Sequence, residues 1–156
     1  MRPDNPNFRP CAIYHHRQWT NQPAVHVGHD AVGEGWGPIL DELDHQFVMA
    51  TGIGTDNHRK IEVLQIKEKF GGLRVYVNAT QLTGAERIRV IEAIDRAEEK
   101  SFQTCEKCGS TEGVETRANK NGRFSRVVTL CQEHHEERDN LLPGQRLDLG
   151  NGNTIV

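Results

Sequence analysis

Cys105-Glu106-Lys107-Cys108-Gly109, followed after a polar span by Thr129-Leu130-Cys131-Gln132-Glu133-His134-His135, decides how this chain folds. Two thiols separated by two residues form a chelating knuckle, because one tight turn aims both sulfurs at a single ion, and Gly109 suits such a turn. Thr129 followed three residues later by Gln132 has capping-box spacing, so a helix is expected to start there. Cys131 and His134 then lie three apart on one helical face; His135, at i+4, shares that face and is the alternative fourth ligand. Knuckle, hairpin and a ligand pair in the first turn of a helix is the layout of a treble clef. Cys105, Cys108, Cys131 and His134 make a Cys3His set, which fills the positions of one structural zinc and leaves none for water. The competing reading is a disulfide or reduced core thiols.

Upstream, Gly33-Glu34-Gly35-Trp36-Gly37-Pro38 introduces a helix. Pro38 fits its first turn, Trp36, Leu40, Leu43 and Phe47 form one stripe, and Thr51-Gly52 ends it. Residues 61–78 read as a β-hairpin with Gly71-Gly72 as its two-residue turn. In that register Phe70 faces Leu73, Lys69 faces Arg74 and Lys67 faces Tyr76. One face holds Leu64, Ile66, Glu68, Phe70, Leu73, Val75 and Val77; the other holds Ile61, Val63, Lys67, Lys69, Arg74 and Tyr76. A slip of one residue would exchange the faces. Glu68, on the apolar face, is expected to meet a basic residue of the next helix. Thr83-Gly84-Ala85-Glu86 is a second capping box. It opens a helix to about Ser101 whose buried stripe reads as Ile88, Ile91, Ile94 and Phe102, with Ala93 and Ala97.

The fold class that follows is α+β. A helix, a β-hairpin and a second helix pack together over residues 35–102, and a treble-clef-like zinc module covers 103–140 in one continuous unit. Residues 1–34 read as an irregular N-terminal segment, and 141–156 as a turn with a short strand or tail. Within the first segment Cys11, His15, His26 and His29, with His16 beside them, are a candidate second zinc set, although no helix or turn signal fixes them.

The hairpin cations carry a functional implication. Like charges opposite one another destabilise a sheet, so Lys69 against Arg74, with Lys67 beside them, calls for an anion. That anion is a carboxylate of this chain, an acidic partner or a phosphate, and Tyr76 adds an aromatic plane. In the zinc module Arg117, Lys120, Arg123 and Arg126 leave residues 114–130 net positive by three, around an Asn121-Gly122 hairpin turn with Phe124 just beyond it. The helix at 131–139 is net negative by three. The basic hairpin either contacts phosphates or is neutralised by this helix.

Composition sets outer bounds. The 156 residues are 35% hydrophobic with net charge -3, and the mean hydropathy is -0.67. One domain with a small core is expected, in which zinc binding contributes folding energy. The net charge argues against general polyanion binding by the whole chain. No apolar run reaches membrane-spanning length and the N-terminus has no apolar signal region, so a cytoplasmic protein without membrane contact is expected. Three of the four cysteines belong to the zinc set, which argues against a disulfide framework.

Leu130-Cys131 through His134-His135 to Arg138 is similar to the end of the HNH nuclease motif, but no histidine lies between Cys108 and Cys131 to act as general base. Taken together, Gly33-x-Gly-Trp36, Lys67-Glu-Lys-Phe-Gly-x-Leu-Arg-Val-Tyr76, Cys105-Glu-x-Cys-Gly109 and Leu130-Cys-x-x-His134 resemble a group of small phage and prophage proteins. The resemblance spans about residues 33–138 and implies a phage-related origin, a treble-clef end and the zinc ligands, with no established activity. Three functions are then in play. The first is a non-enzymatic, phage-encoded protein that modulates or inhibits a host defence or nucleic-acid-processing complex by direct binding in the bacterial host cell. The second is a nucleic-acid-binding module, and the third a degenerate HNH-like nuclease.

Overall fold

The structure is a computed structural model that describes residues 29–120 and 126–156. Short 3-10 turns at His29–Ala31 and Glu34–Trp36 lead into helix α1, Gly37–Thr51. A 3-10 turn at Asn57–Lys60 precedes strands β1, Glu62–Lys69, and β2, Gly72–Asn78. Helix α2, Gly84–Ser101, closes this half. Strands β3, Val114–Arg117, and β4, Val128–Cys131, helix α3, Gln132–Asp139, and strands β5, Leu147–Gly150, and β6, Asn153–Ile155, build the other. Each strand pair is its own antiparallel two-stranded sheet. The architecture is the expected one: helix, hairpin and helix, then a module with the Cys/His cluster.

Helix α1 forms for the reasons its sequence carries. Pro38 sits in the first turn, Gly52 stops the helix at φ 105°, and Trp36, Leu40, Leu43 and Phe47 are all buried. The capping box of α2 is complete: Glu86 N–H donates to Thr83 Oγ1 and Glu86 Oε1 accepts from Thr83 N–H. The buried stripe of α2 differs from the expected one. Val90, Ala93, Ile94, Ala97 and Ser101 face inward, whereas Ile88 and Ile91 are 59% and 55% exposed. The small side chains at 93 and 97 let α2 lie against α1, and that choice of face turns positions 88 and 91 outward.

The first hairpin closes on Phe70-Gly71 instead of Gly71-Gly72, so Lys69 pairs with Gly72 and Lys67 with Arg74. Phe70 at φ 54° and Gly71 at φ 83° supply the two positive angles of a type I′ turn. Gly72 opens β2 because the Phe102 ring lies where its Cβ would be. A register shift of two keeps side chains on their faces, so Ile66, Leu73 and Val75 are buried as expected. Ile61, Val63, Leu64 and Phe70 depart from it. An irregularity between Val63 and Gln65 turns Leu64 outward and Val63 into the core, and Phe70 belongs to the turn.

The outer edge of β2 is covered by α2. Leu73 N–H donates to Ser101 Oγ at 2.9 Å, and Val75 N–H donates to the Glu98 carboxylate. Glu98 also pairs with Arg74 at 3.3 Å. Burial nevertheless holds the Glu98 carboxyl above its ordinary range. The anion that the clustered cations called for is, at Arg74, a carboxylate of this chain.

At the C-terminus, where a short strand or tail is expected, β5 and β6 form a hairpin around Asn151-Gly152, both at positive φ. Leu147, Leu149 and Ile155 from it are buried with Cys105, Val128, Leu130 and Cys131 as the core of the zinc half. No helix among the described residues is long and apolar enough to cross a membrane.

Candidate metal centre

Two local structures aim the ligands. In the knuckle, Gly109 N–H donates to the Cys105 carbonyl at 2.9 Å, and Gly109 takes φ 80°. Ser110 N–H points at Cys108 Sγ at 3.5 Å. In the second pair, the β3–β4 ladder runs through Cys131, which pairs with Val114. Helix α3 therefore starts at Gln132 with Cys131 as its N-cap residue. Thr129 is thus a strand residue and not the cap that its spacing suggests. Its hydroxyl donates to the Gly71 carbonyl at 2.6 Å and lies 2.6 Å from Thr116 Oγ1, fastening the tip of the first hairpin to the module.

The four ligand atoms converge. His134 Nδ1 is 3.2 Å from Cys131 Sγ and 3.4 Å from Cys105 Sγ, Cys108 Sγ is 3.9 Å from Cys131 Sγ, and all lie within 4.8 Å of one another. A tetrahedral zinc with ordinary Zn–S and Zn–N bonds sets its ligand atoms about 3.5–3.8 Å apart. Cys105, Cys108, Cys131 and His134 fit that set and form one structural zinc site.

His135 is turned away from this centre: it is buried and its Nε2–H donates to the Glu115 carbonyl at 2.7 Å. Burial lowers its pKa. The fourth ligand is therefore His134. Of the N-terminal candidates, Cys11, His15, His16 and His26 lie outside the described residues. His29 Nε2 bonds Asp41 Oδ1 at 2.8 Å.

The knuckle also anchors the other half of the chain. Gly35 N–H donates to the Glu106 carbonyl at 2.8 Å, Gly33 N–H to Glu106 Oε1 at 3.1 Å, and the Trp36 indole N–H to the Thr104 carbonyl at 2.9 Å. A side chain on Gly35 would run into the Cys105 carbonyl. Burial pushes the Glu106 carboxyl up to about 7. The Gly-x-Gly-Trp and Cys-Glu-x-Cys-Gly segments, far apart in sequence, are the two sides of one contact.

Arg138, which the sequence places at the end of the HNH-like segment and among the charges of the last helix, is fully buried and structural. Its Nε donates to the Val156 carbonyl at 2.8 Å, Nη2 to the Arg126 carbonyl at 2.7 Å and Nη1 to the Arg117 carbonyl at 3.3 Å, so one guanidinium ties α3 to β3, to the segment leading into β4 and to Val156. The only signal for it was an arginine following the histidine pair by three residues.

The candidate anion-binding residues divide. Arg117 forks onto Asp139 with contacts of 3.1 and 2.7 Å. That hydrogen-bonded pairing holds the Asp139 carboxyl down at about 2. Arg126 meets Glu68 at 2.8 Å, so the partner of Glu68 comes from the zinc module and not from the next helix. Lys120 lends its backbone N–H to Asp139. Arg123, with the Asn121-Gly122 turn and Phe124, lies outside the described residues. Lys67 lies 5.3 Å from the centre of the Tyr76 ring and Lys69 5.4 Å from that of Phe70. Compared with known protein families, with curated proteins and with solved structures, the chain matches none.

Proposed function

We propose that this protein is a non-enzymatic, zinc-stabilised interaction protein, encoded by a phage, that modulates or inhibits a host defence or nucleic-acid-processing complex by direct binding in the bacterial cytoplasm. The observation that carries this reading is the closure of the metal set. Three thiolates and one imidazole complete a tetrahedral zinc, so the ion has a structural and not a catalytic ligand set. Its place supports the same view. The site sits where the knuckle meets the Gly33–Trp36 segment, and its module also grips the hairpin tip through Thr129. Zinc thereby holds the first hairpin as a rigid projection. Its outer face, carrying Lys67, Lys69 and Tyr76, is the contact surface.

The test is affinity capture from bacterial lysate with the zinc-loaded chain, with and without nuclease, alongside Lys67→Glu/Lys69→Glu. A stoichiometric protein retained after nuclease and lost with the double variant supports the reading. Capture unaffected by the double variant removes the hairpin face as the contact surface. Turnover of a substrate that Lys67→Glu/Lys69→Glu leaves intact would contradict the non-enzymatic assignment.

A further inference from the structure

The hairpin face turned away from the core carries cations and aromatic rings together. Lys67 and Lys69 lie one strand period apart on β1, and no carboxylate among the described residues pairs with either. Their ammonium groups rest beside the rings of Tyr76 and Phe70. Phe70 is 71% exposed. It also holds φ 54°, a left-handed conformation that asparagine or glycine takes far more readily than a bulky aromatic. A turn chosen for stability alone would carry one of those residues. An aromatic kept there against local preference, with its ring in solvent, is the kind of outlier that gathers at binding sites. Arg126 borders the same tip: with Glu68, Lys69, Phe70 and Val127 it lines a hollow of about 410 Å³. The Arg126 side chain is 67% exposed, and among the described residues Glu68 engages its Nη2 at 2.8 Å.

We infer that this face binds single-stranded nucleic acid, with bases stacking on Phe70 and Tyr76 and phosphates meeting Lys67, Lys69 and Arg126. The inference rests on the hairpin being the contact surface, as proposed above, and adds to the protein partner the single strand that a nucleic-acid-processing complex holds. Alternating rings and cations are the composition of a stacking platform, which takes any base because every base has a flat face. A duplex hides those faces within its own stack. An acidic peptide would satisfy the lysines but gives the two rings no planar partner. Arg74 and Arg117 take no part, since Glu98 and Asp139 already hold them.

The experiment is fluorescence anisotropy of a short labelled oligothymidine titrated with the full zinc-loaded chain across a salt series. Three phosphate contacts to a single strand give a log–log salt slope of about -2. Phe70→Asn removes the ring while suiting the turn, and loss of one stacked base weakens binding by roughly tenfold. Lys67→Glu/Lys69→Glu abolishes binding, whereas Lys100→Glu, an exposed charge on α2, leaves it within about twofold. Melting curves of all variants confirm that each is folded. Binding that the lysine variant destroys but Phe70→Asn leaves untouched is polyanion attraction alone and overturns the inference. No binding to the oligonucleotide, with protein capture through the same lysines intact, also overturns it while the interaction reading stands.

Discussion

The two halves of this molecule reach stability by different means. In the helix–hairpin half, seventeen buried hydrophobic residues from Val32 to Ala97 form one core among the described residues. Among the described residues of the zinc half the buried cluster has seven members, and two of those are the ligands Cys105 and Cys131. Metal coordination, the Arg138 clamp and the Arg117–Asp139 pair supplement this smaller apolar cluster. The lesson is that the zinc half is conditional. Its order depends on the ion, and the first half borrows from it through Glu106 and Thr129.

The largest expected effect breaks that dependence outright. Cys108→Ser opens the metal set, and structural zinc contributes on the order of 10 kcal/mol in small modules. The variant should lose zinc and unfold the C-terminal third, read as full amide exchange beyond residue 104, while α1 and α2 stay protected. An unchanged melting curve with a full equivalent of zinc would sink the distinction. Next comes the joint between the halves. Gly35→Ala forces a methyl into the Cys105 carbonyl, and overpacking of this kind costs roughly 1–3 kcal/mol. Denaturant unfolding should show that loss together with weaker zinc retention; loss of stability with unaltered zinc affinity would mean that the halves are not coupled there.

Much of the helix–hairpin half was legible because its signals are local. A stripe at three-and-four spacing, a proline at the start of α1 and a capping box on α2 all act within a turn or two of chain. The ligands were legible for the same reason, since each pair is set by one turn of backbone. What escaped depends on distant partners. Ile88 and Ile91 match a helical stripe as well as Val90 and Ile94 do, and only the way α2 packs on α1 and β2 selects between them. Gly71-Gly72 looked like the turn, yet Gly72 is glycine to admit Phe102. The contact of Gly33 and Gly35 with Glu106 joins segments about seventy residues apart, beyond the reach of periodicity. Asn151-Gly152, by contrast, carried a readable turn signal that marks the last hairpin.

Smaller effects sharpen the comparison. Asp139→Asn weakens the fork from Arg117 and should cost roughly 1–2 kcal/mol at neutral pH. Because the folded carboxyl is depressed to about 2, its contribution is complete above the ordinary aspartate range and is lost only as pH falls through about 2. The cost should therefore be constant between about pH 6 and 8; a cost that varies across that window would assign the stabilisation to another group. At the smallest end, Ile88→Asn on the exposed side of α2 should change stability by less than about 0.5 kcal/mol. Val90→Asn should unfold the half that Ile88→Asn leaves alone, and equal losses from the two would put the buried stripe back where the sequence pattern suggested it.

The most direct test of the central claim is the zinc itself, by metal analysis and X-ray absorption on the purified chain and on His135→Ala. One zinc per chain is expected in both, with a shell of three sulfurs at about 2.3 Å and one nitrogen at about 2.0–2.1 Å. Less than one equivalent in the parent chain, or a nitrogen scatterer that disappears in His135→Ala, would contradict a structural site built from Cys105, Cys108, Cys131 and His134.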